Sequence, residues 1–212
     1  MLDLDPDALL TTTRAVRKRL DFDRPVPREV IEECLAIALQ APNGGNMNNW
    51  RWIVVDDPTV IAKIAEIYNG GLDDYIATMA DSGGYPGSVV PGADRIDGSV
   101  GYLRENFHRL PAVLVPVFAG RMEEANLFYQ ASSWGSIIQS VWSFMLALRA
   151  RGLGSAWTTG HLWREQALSE LLEIPDYYTQ VGLFPIAYTL GTDFKPAYRK
   201  DPSEVIGWNG FA

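Results

Sequence analysis

Residues 41–50 of this chain are concentrated in asparagine, glycine and proline, and their types and spacing could hold a polar ligand. The segment lies between an amphipathic helical run, 30–40, and an apolar strand-like run, 52–55. Glycine and asparagine accept left-handed backbone conformations, and asparagine carries both a donor and an acceptor. Such a turn could aim backbone and side-chain amides at one ligand. The alternative is a turn without a ligand, because turns are the usual place for these residues.

Basic residues form two clusters near the ends of a chain whose formal net charge is −8. Arginine side chains pair with phosphate oxygens through two hydrogen bonds, so the clusters could hold a phosphate if the fold joins them. The alternative is charge that is simply exposed to solvent. The first cluster comprises Arg14, Arg17, Lys18, Arg19 and Arg24, and the second comprises Lys195, Arg199 and Lys200.

Several other kinds of site are not indicated by the sequence. The two histidines, His108 and His161, do not have metal-ligand spacing, so we expect no metal site. There is no P-loop, no nucleophile elbow and no complete dinucleotide-binding fingerprint. The single cysteine, Cys34, has apolar helical neighbours, and we interpret it as a core residue. A chain of this kind could bind and orient a cofactor that carries out the reaction.

Composition and charge limit where the protein acts. Hydrophobic residues make up 47% and charged residues 21% of the chain, which is enough to build a substantial core. The acidic net charge argues against nucleic-acid binding. The apolar run in the first 20 residues is short and interrupted by charges, so we expect no signal peptide there. The sequence has no charge-free apolar run of membrane-spanning length. We therefore expect a soluble cytoplasmic protein that does not contact a membrane.

The hydrophobic pattern predicts one α+β domain over residues 1–212, with a small sheet that is mostly covered by helices. The predicted helices are 5–20, 28–40, 57–68, 99–108, 123–151 and 164–172, and the predicted strands are 52–55, 112–118, 155–158 and 180–190. The long irregular region between the third and fourth helices, 70–98, is interpreted as a lid. The aromatic tail, 191–212, is expected to dock on a partner subunit.

Several of these segments resemble the FMN-dependent nitroreductase family. Residues 14–17, 25–27 and 41–52 are similar to the opening of that family, and 152–159 is similar to its middle. Its closing part is matched by residues 174–175, 180–191 and 199–205. The match follows the family order over essentially the whole chain.

The resemblance implies an α+β sandwich, with a small, mostly antiparallel sheet flanked by helices, that forms an intertwined homodimer with two FMN sites at its interface. Arg14 and Arg17 would bind the flavin phosphate, or the ribityl and ring oxygens, and Arg199 with Lys200 would complete the phosphate site. The amide loop, residues 41–50, would reach the flavin of the other subunit. The 158–160 segment would follow the flavin edge. The implied cofactor residues are Arg14, Ala15, Arg17, Pro42, Asn43, Gly44, Asn46, Thr158, Thr159, Gly160, Arg199 and Lys200.

The implied activity is hydride transfer from NAD(P)H through the flavin to a small acceptor such as a nitroaromatic, a quinone or an enone. The flavin carries the redox step, so no side chain is expected to be an essential acid or base. A lid around residues 70–110 would select the acceptor by aromatic stacking. The candidate stacking residues are Tyr75, Tyr85, Tyr102 and Phe107.

The chain departs from the family pattern at three places. Thr13 and Ala15 stand where the family often has arginine and serine, and Asn48-Asn49 stands where Gln-Pro is common. The first two changes remove one cation and one hydroxyl from the implied cofactor contacts. Alternatives are therefore a non-catalytic flavin-binding homologue, a deazaflavin in place of FMN, or a flavin enzyme with different chemistry, such as reductive dehalogenation or ring oxidation.

Overall fold

The structure is a computed structural model that describes residues 1–81 and 93–211. Its helices are α1 (Pro6–Thr12), α2 (Arg28–Ala38), α3 (Pro58–Asp81), α4 (Ala93–Asn106), α5 (Leu127–Ala150) and α6 (Glu165–Leu172). Its strands are β1 (Leu20–Asp21), β2 (Trp50–Val55), β3 (Ala112–Ala119), β4 (Leu153–Gly154), β5 (Tyr178–Gln180) and β6 (Phe184–Thr189). Short 3₁₀ helices are formed by Gly44–Asn46, Phe107–Arg109, Gly160–Arg164 and Pro202–Glu204.

The named strands form one small antiparallel sheet. Its main order is β1-β6-β3-β2, while β4 pairs with β6 and β5 pairs with β3. The register places Ile53 opposite Val115 and Val113 opposite Pro185. Helices cover both faces, so the predicted α+β class with a small, mostly antiparallel sheet is confirmed.

The central strand β3 is apolar throughout because it is covered on both faces. Successive side chains of a strand point to opposite faces, and the core divides accordingly. Val113, Val115 and Val117 pack with Ile61 and Ile64 of α3. On the other face, the alternate residues of β3 pack against α2 and α5. That second cluster includes Leu114, Phe118, Ile31, Cys34, Ile137, Val141 and Phe144.

The first helix is shorter than predicted, ending at Thr12 rather than near residue 20. The hydroxyls of Thr11, Thr12 and Thr13 each donate to the carbonyl four residues earlier, and Thr13 itself takes an extended conformation. Serine and threonine side chains compete with helical backbone bonds in this way. Arg14 precedes the bridged residue Ala15 and Arg17 lies at a bend, so the predicted helix over 5–20 was wrong for both arginines.

The third helix is longer than predicted, and continues to residue 81 through the region interpreted as a lid. Two adjacent glycines inside it allow close packing. A Cβ added to Gly71 would lie 2.1 Å from the carbonyl oxygen of Gly160, and one added to Gly70 would lie 2.0 Å from Nη1 of Arg164. Glycine normally weakens a helix, but here it lets α3 lie directly on the 160–164 turn. Residues 82–92 of the predicted lid lie outside the described residues.

The two C-terminal strands also differ from their predicted bounds. The predicted strand 155–158 is an extended segment that follows β4, with isolated bridges at Ser155 and Thr158. The predicted strand 180–190 is divided into β5 and β6.

Cys34 is fully buried, as predicted for a core residue, and burial raises the pKa of its thiol to about 11. Within the described ranges, none of the helices is both long and apolar enough to span a bilayer.

Candidate functional site

The first basic cluster runs beside the segment that follows β4. Ala15 forms a parallel bridge with Ser155, and the amide of Val16 donates to the Ser155 carbonyl at 2.8 Å. Val16 is buried, and a Cβ added to Gly154 would lie 2.9 Å from the Cβ of Val16. This contact explains the glycine at position 154. It fixes the backbone at Val16, between Arg14 and Arg17.

Arg17 is the half-buried cation of this segment. Its Nη1 lies 3.5 Å from the Ser99 hydroxyl, at the outer limit of hydrogen bonding. Burial lowers the pKa of Arg17, and nearby Tyr68 partly offsets this effect. None of the ion pairs formed among residues 1–81 and 93–211 involves Arg17. A partly desolvated guanidinium without a carboxylate is suited to bind an anionic ligand.

The two basic clusters meet at the start of the C-terminal tail. Arg14 Nη1 donates to the carbonyl oxygen of Lys195 at 2.8 Å. The base of the tail is held by Phe194, whose ring centroid lies 4.3 Å from Cζ of Arg19 and 4.8 Å from Cζ of Arg149. Beyond that point the tail is exposed. The structure brings Arg14 to the tail, but it leaves the predicted phosphate contacts Arg199 and Lys200 in solvent.

The amide loop is built partly by its own side chains. The amide of Asn48 donates to Oδ1 of Asn43 at 3.1 Å, and Nδ2 of Asn48 donates to the Asn46 carbonyl at 2.9 Å. Gly45, Asn46 and Asn48 have φ values of 61°, 53° and 50°. Asparagine tolerates this left-handed region better than most residues. Part of the amide density therefore makes the turn, while Pro42, Asn43, Gly44 and Asn46 remain at or near the surface.

The amide loop rests on α5. The amide of Gly44 donates to Oγ of Ser136 at 2.8 Å, and a Cβ on Gly44 would lie 2.3 Å from Oγ of Ser132. Large apolar side chains are exposed on α5 and in the loop. These side chains are Leu127, Phe128, Tyr129, Ile138, Trp142 and Met47. The loop and this helix therefore present a solvent-exposed surface that is unusually rich in apolar side chains.

The predicted flavin-edge segment is only partly available for binding. Thr158 is buried, its amide and hydroxyl both donate to the Leu183 carbonyl, and its own carbonyl accepts from Leu183. Its side chain and amide are therefore committed to the fold, which removes it as a donor to a ligand. Thr159 is exposed, and Gly160 lies against Tyr68 and Leu72 of α3. Gly160 is buried, and among the described loops and turns neither its amide nor that of Thr159 donates a backbone hydrogen bond.

Asn69 is a site candidate that the sequence analysis did not identify. Its Oδ1 is buried and has no hydrogen-bond partner among the described residues. Asn69 follows Tyr68, whose ring is near Arg17, and precedes the two glycines that bring α3 onto the 160–164 turn. A buried polar atom without a partner is rare and indicates a missing ligand or water.

The four predicted acceptor-stacking aromatics have different environments. Phe107 is fully buried, with its ring centroid 4.8 Å from that of Tyr68, so its predicted role in stacking on an acceptor is wrong. Tyr102 is half-buried and stacks on Phe22. Tyr75 lies 6.1 Å from Trp163, an exposed residue that the sequence analysis overlooked. Tyr85 lies outside the described residues.

His161 is buried directly after Gly160, and its protonation should control stability in acid. Burial lowers the pKa of His161 to about 3, and the neighbouring Gln180 amide partly offsets this. An unfolded histidine titrates near pH 6.5, so the unfolded chain binds the extra proton first and stability falls between about pH 6.5 and pH 3.

We expect His161→Gln to remove about 2 kcal/mol of the stability loss between pH 7.5 and pH 5. Urea unfolding at both values, with His108→Gln as the control, measures the difference. An unchanged pH dependence in the His161 variant would contradict this assignment.

Comparison with known proteins places the chain in a family. The model of the nitroreductase family matches residues 10–188. The chain belongs to the nitroreductase family. Among curated proteins, this nitroreductase-family chain is 25% identical over 219 residues to a Thermus thermophilus NADH dehydrogenase, covering 97% of this chain and 96% of the relative. It is 26% identical over 187 residues to the 5,6-dimethylbenzimidazole synthase of Rhodospirillum rubrum, covering 86% of this chain and 81% of the relative.

Solved structures confirm the nitroreductase fold. A BluB-like flavoprotein from Clostridium difficile superposes with a TM-score of 0.72 at 16% identity, covering 98% of this chain and 100% of that one. Iodotyrosine deiodinase, bound to FMN and 3-iodo-L-tyrosine, superposes with a TM-score of 0.70 at 22% identity. The match covers 96% of this chain and 98% of that one. An FMN- and NADPH-dependent nitroreductase from a Sphigopyxis species superposes with a TM-score of 0.68 at 20% identity. The match covers 98% of this chain and 100% of that one. The named relatives carry out different reactions, so the fold alone does not specify the acceptor.

Proposed function

We propose that this nitroreductase-family protein is an FMN-dependent oxidoreductase that transfers hydride from NAD(P)H to a small organic acceptor. The proposal depends mainly on Arg17, a half-buried cation without a carboxylate partner within the described ranges. Arg17 is near Tyr68, which in turn lies against Gly160. Relatives with the same fold include an FMN- and NADPH-dependent nitroreductase and an FMN-bound deiodinase. Their names support FMN as the cofactor.

The residues around Arg17 have the chemistry that FMN requires. Arg17 and Arg14 offer positive charge to the phosphate or to the electron-rich edge of the ring. The buried Oδ1 of Asn69 can accept a hydrogen bond. The amides of Thr159 and Gly160, which donate to no other described loop or turn residue, would serve as donors. When bound, FMN supplies the redox chemistry; the chain binds and orients it and excludes water.

We also propose that the protein acts as a homodimer. The apolar surface of α5 and the amide loop has large exposed side chains, including Leu127 at 80% and Phe128 at 73%. The tail adds Trp208 and Phe211, which are also exposed. A second copy that covered these residues would bring its amide loop toward the Arg17 site. Asn43, Gly44 and Asn46 would then contact the cofactor from the partner subunit.

The acceptor site is proposed to lie where α3 meets the 160–164 turn. Arg164 joins these elements through Nε, which lies 2.7 Å from Oδ2 of Asp74. The ring pair Tyr75 and Trp163 stands beside this ion pair and offers an aromatic wall to a planar acceptor. Nitroaromatics, quinones and enones are planar, so they are the preferred class.

The test is anaerobic mixing of the FMN-loaded protein with NADH or NADPH, followed by a second mix with an acceptor. We expect one nicotinamide to bleach the flavin absorbance, and a nitroaromatic, quinone or enone to restore it in a separate step. An iodinated phenol tests reductive dehalogenation in the same way. Bound flavin that neither nicotinamide reduces would support the alternative of a non-catalytic flavin-binding protein, which the changes at Thr13 and Ala15 motivate.

A further inference from the structure

Ser155 carries a hydroxyl that the fold does not use. The residue is 3% exposed, and its Oγ has no hydrogen-bond partner among the described residues. Its carbonyl oxygen is occupied, because it accepts from the Val16 amide at 2.8 Å. Buried hydroxyls normally have a partner, since burial without one costs free energy. The unpaired Oγ of Ser155 therefore indicates a hydrogen-bond partner outside the described residues, such as a bound ligand.

The pairing of Ser155 shows the direction in which its side chain points. Ser155 and Ala15 are direct partners in a parallel bridge, so their side chains lie on the same side of the two strands. The preceding residue, Gly154, packs against Val16 on the opposite side. Ala15 is exposed and offers only a methyl group. The Cβ of Ser155 is therefore on the same side as that of the exposed Ala15, while its Oγ is buried.

We infer that Ser155 is a cofactor-binding residue whose hydroxyl binds an oxygen of the FMN ribityl chain or phosphate. This inference rests on the proposed function, because it requires FMN to lie along the 14–17 segment. A serine hydroxyl both donates and accepts, so it suits a ribityl hydroxyl as well as a phosphate oxygen. A serine hydroxyl changes direction by rotation between staggered rotamers, so a bound flavin requires no change in the backbone at Ser155. Ser155 supplies from the neighbouring strand the hydroxyl that position 15 does not offer.

The test compares FMN and riboflavin binding to the full chain and to Ser155→Ala, by quenching of flavin fluorescence. We expect FMN affinity to fall about fivefold to tenfold, the scale of one hydrogen bond. An equal loss for riboflavin assigns the contact to the ribityl chain, and a loss for FMN alone assigns it to the phosphate. The melting temperature of the flavin-free variant should be unchanged or higher, because the substitution removes an unpaired buried hydroxyl.

A second variant tests the shared position. Adding Ala15→Ser to Ser155→Ala should restore FMN affinity to within about twofold of the starting protein, since the new hydroxyl lies on the same side. The inference is overturned if Ser155→Ala binds FMN as well as the unmodified chain, or if the double variant does not recover. It is also overturned if flavin-free Ser155→Ala loses as much free energy of unfolding as it loses free energy of FMN binding, because the weaker binding would then follow from a damaged fold. An unmodified chain that binds neither flavin contradicts the proposed function itself.

Discussion

Arg17→Ala should weaken FMN binding by about 1.5–3 kcal/mol, the range for a lost hydrogen bond to a charged group. This corresponds to a rise in Kd of roughly 10- to 150-fold. The physical reason is that Arg17 is half-buried and that no carboxylate among the described residues pairs with it. A bound anion therefore does not compete with a carboxylate for the guanidinium. Flavin fluorescence titration of the purified variant measures the change.

The same substitution should leave the flavin-free protein as stable as before, or more stable. Burial lowers the pKa of Arg17, which shows that the flavin-free fold disfavours its charge. Arg28→Ala is the matched control, because Arg28 is exposed and pairs with Asp56 rather than with the site. The control should bind FMN normally. Unchanged FMN retention in Arg17→Ala would remove Arg17 from the site.

Gly71→Ala should destabilise the fold by about 1–3 kcal/mol, the usual range for overpacking. The added Cβ would lie 2.1 Å from the Gly160 carbonyl oxygen and 3.4 Å from Cα of His161. Both neighbours are backbone, so neither can move away as a flexible side chain would. Urea unfolding measures the loss, and FMN affinity should fall with it because Gly160 is displaced.

Gly101→Ala provides the matched control in α4. A Cβ at position 101 meets no atom of residues 1–81 and 93–211 within 4 Å, so we expect only helix propensity to change. Alanine should then stabilise the protein by up to about 1 kcal/mol. If Gly71→Ala were equally stabilising, the close packing of α3 on the 160–164 turn would be wrong.

The elements with strong hydrophobic patterns could be predicted from the sequence. The buried strand β3 and the long helix α5 differ from their predicted bounds by only a few residues at each end. Their apolar residues repeat over enough positions to specify both the type of secondary structure and its residue range. The class of the fold followed, because a small sheet between helices was the arrangement that these segments allowed.

The two errors at α1 and α3 have separate physical causes. The 13–20 segment has helix-forming residues, but the pairing of Ala15 with Ser155 and of Leu20 with β6 excludes a helix there. In α3, the glycines would end an isolated helix, but contact with the 160–164 turn keeps it helical. Tertiary contacts overrode local propensity in both places, and such contacts cannot be recognised from residue types alone.

The candidate site was predictable in its charges but less so in its neutral groups. Arg14 and Arg17 could be identified as cations in an acidic chain. Phe107 was chosen as an aromatic, although burial removes it from any ligand. Asn69 and Ser155 became candidates only when their buried atoms were found without partners. Whether a polar atom has a partner depends on the folded structure, so the sequence could not indicate it.

The absorbance spectrum of the purified protein, read before and after adding FMN and then nicotinamide, tests the proposed function most directly. We expect bound oxidised flavin that NADH or NADPH reduces, on a dimer with two flavins, because each site is proposed to need the partner's amide loop. A protein that stays colourless after FMN is added would contradict flavin binding. Flavin bound stoichiometrically to a monomer would contradict the shared site.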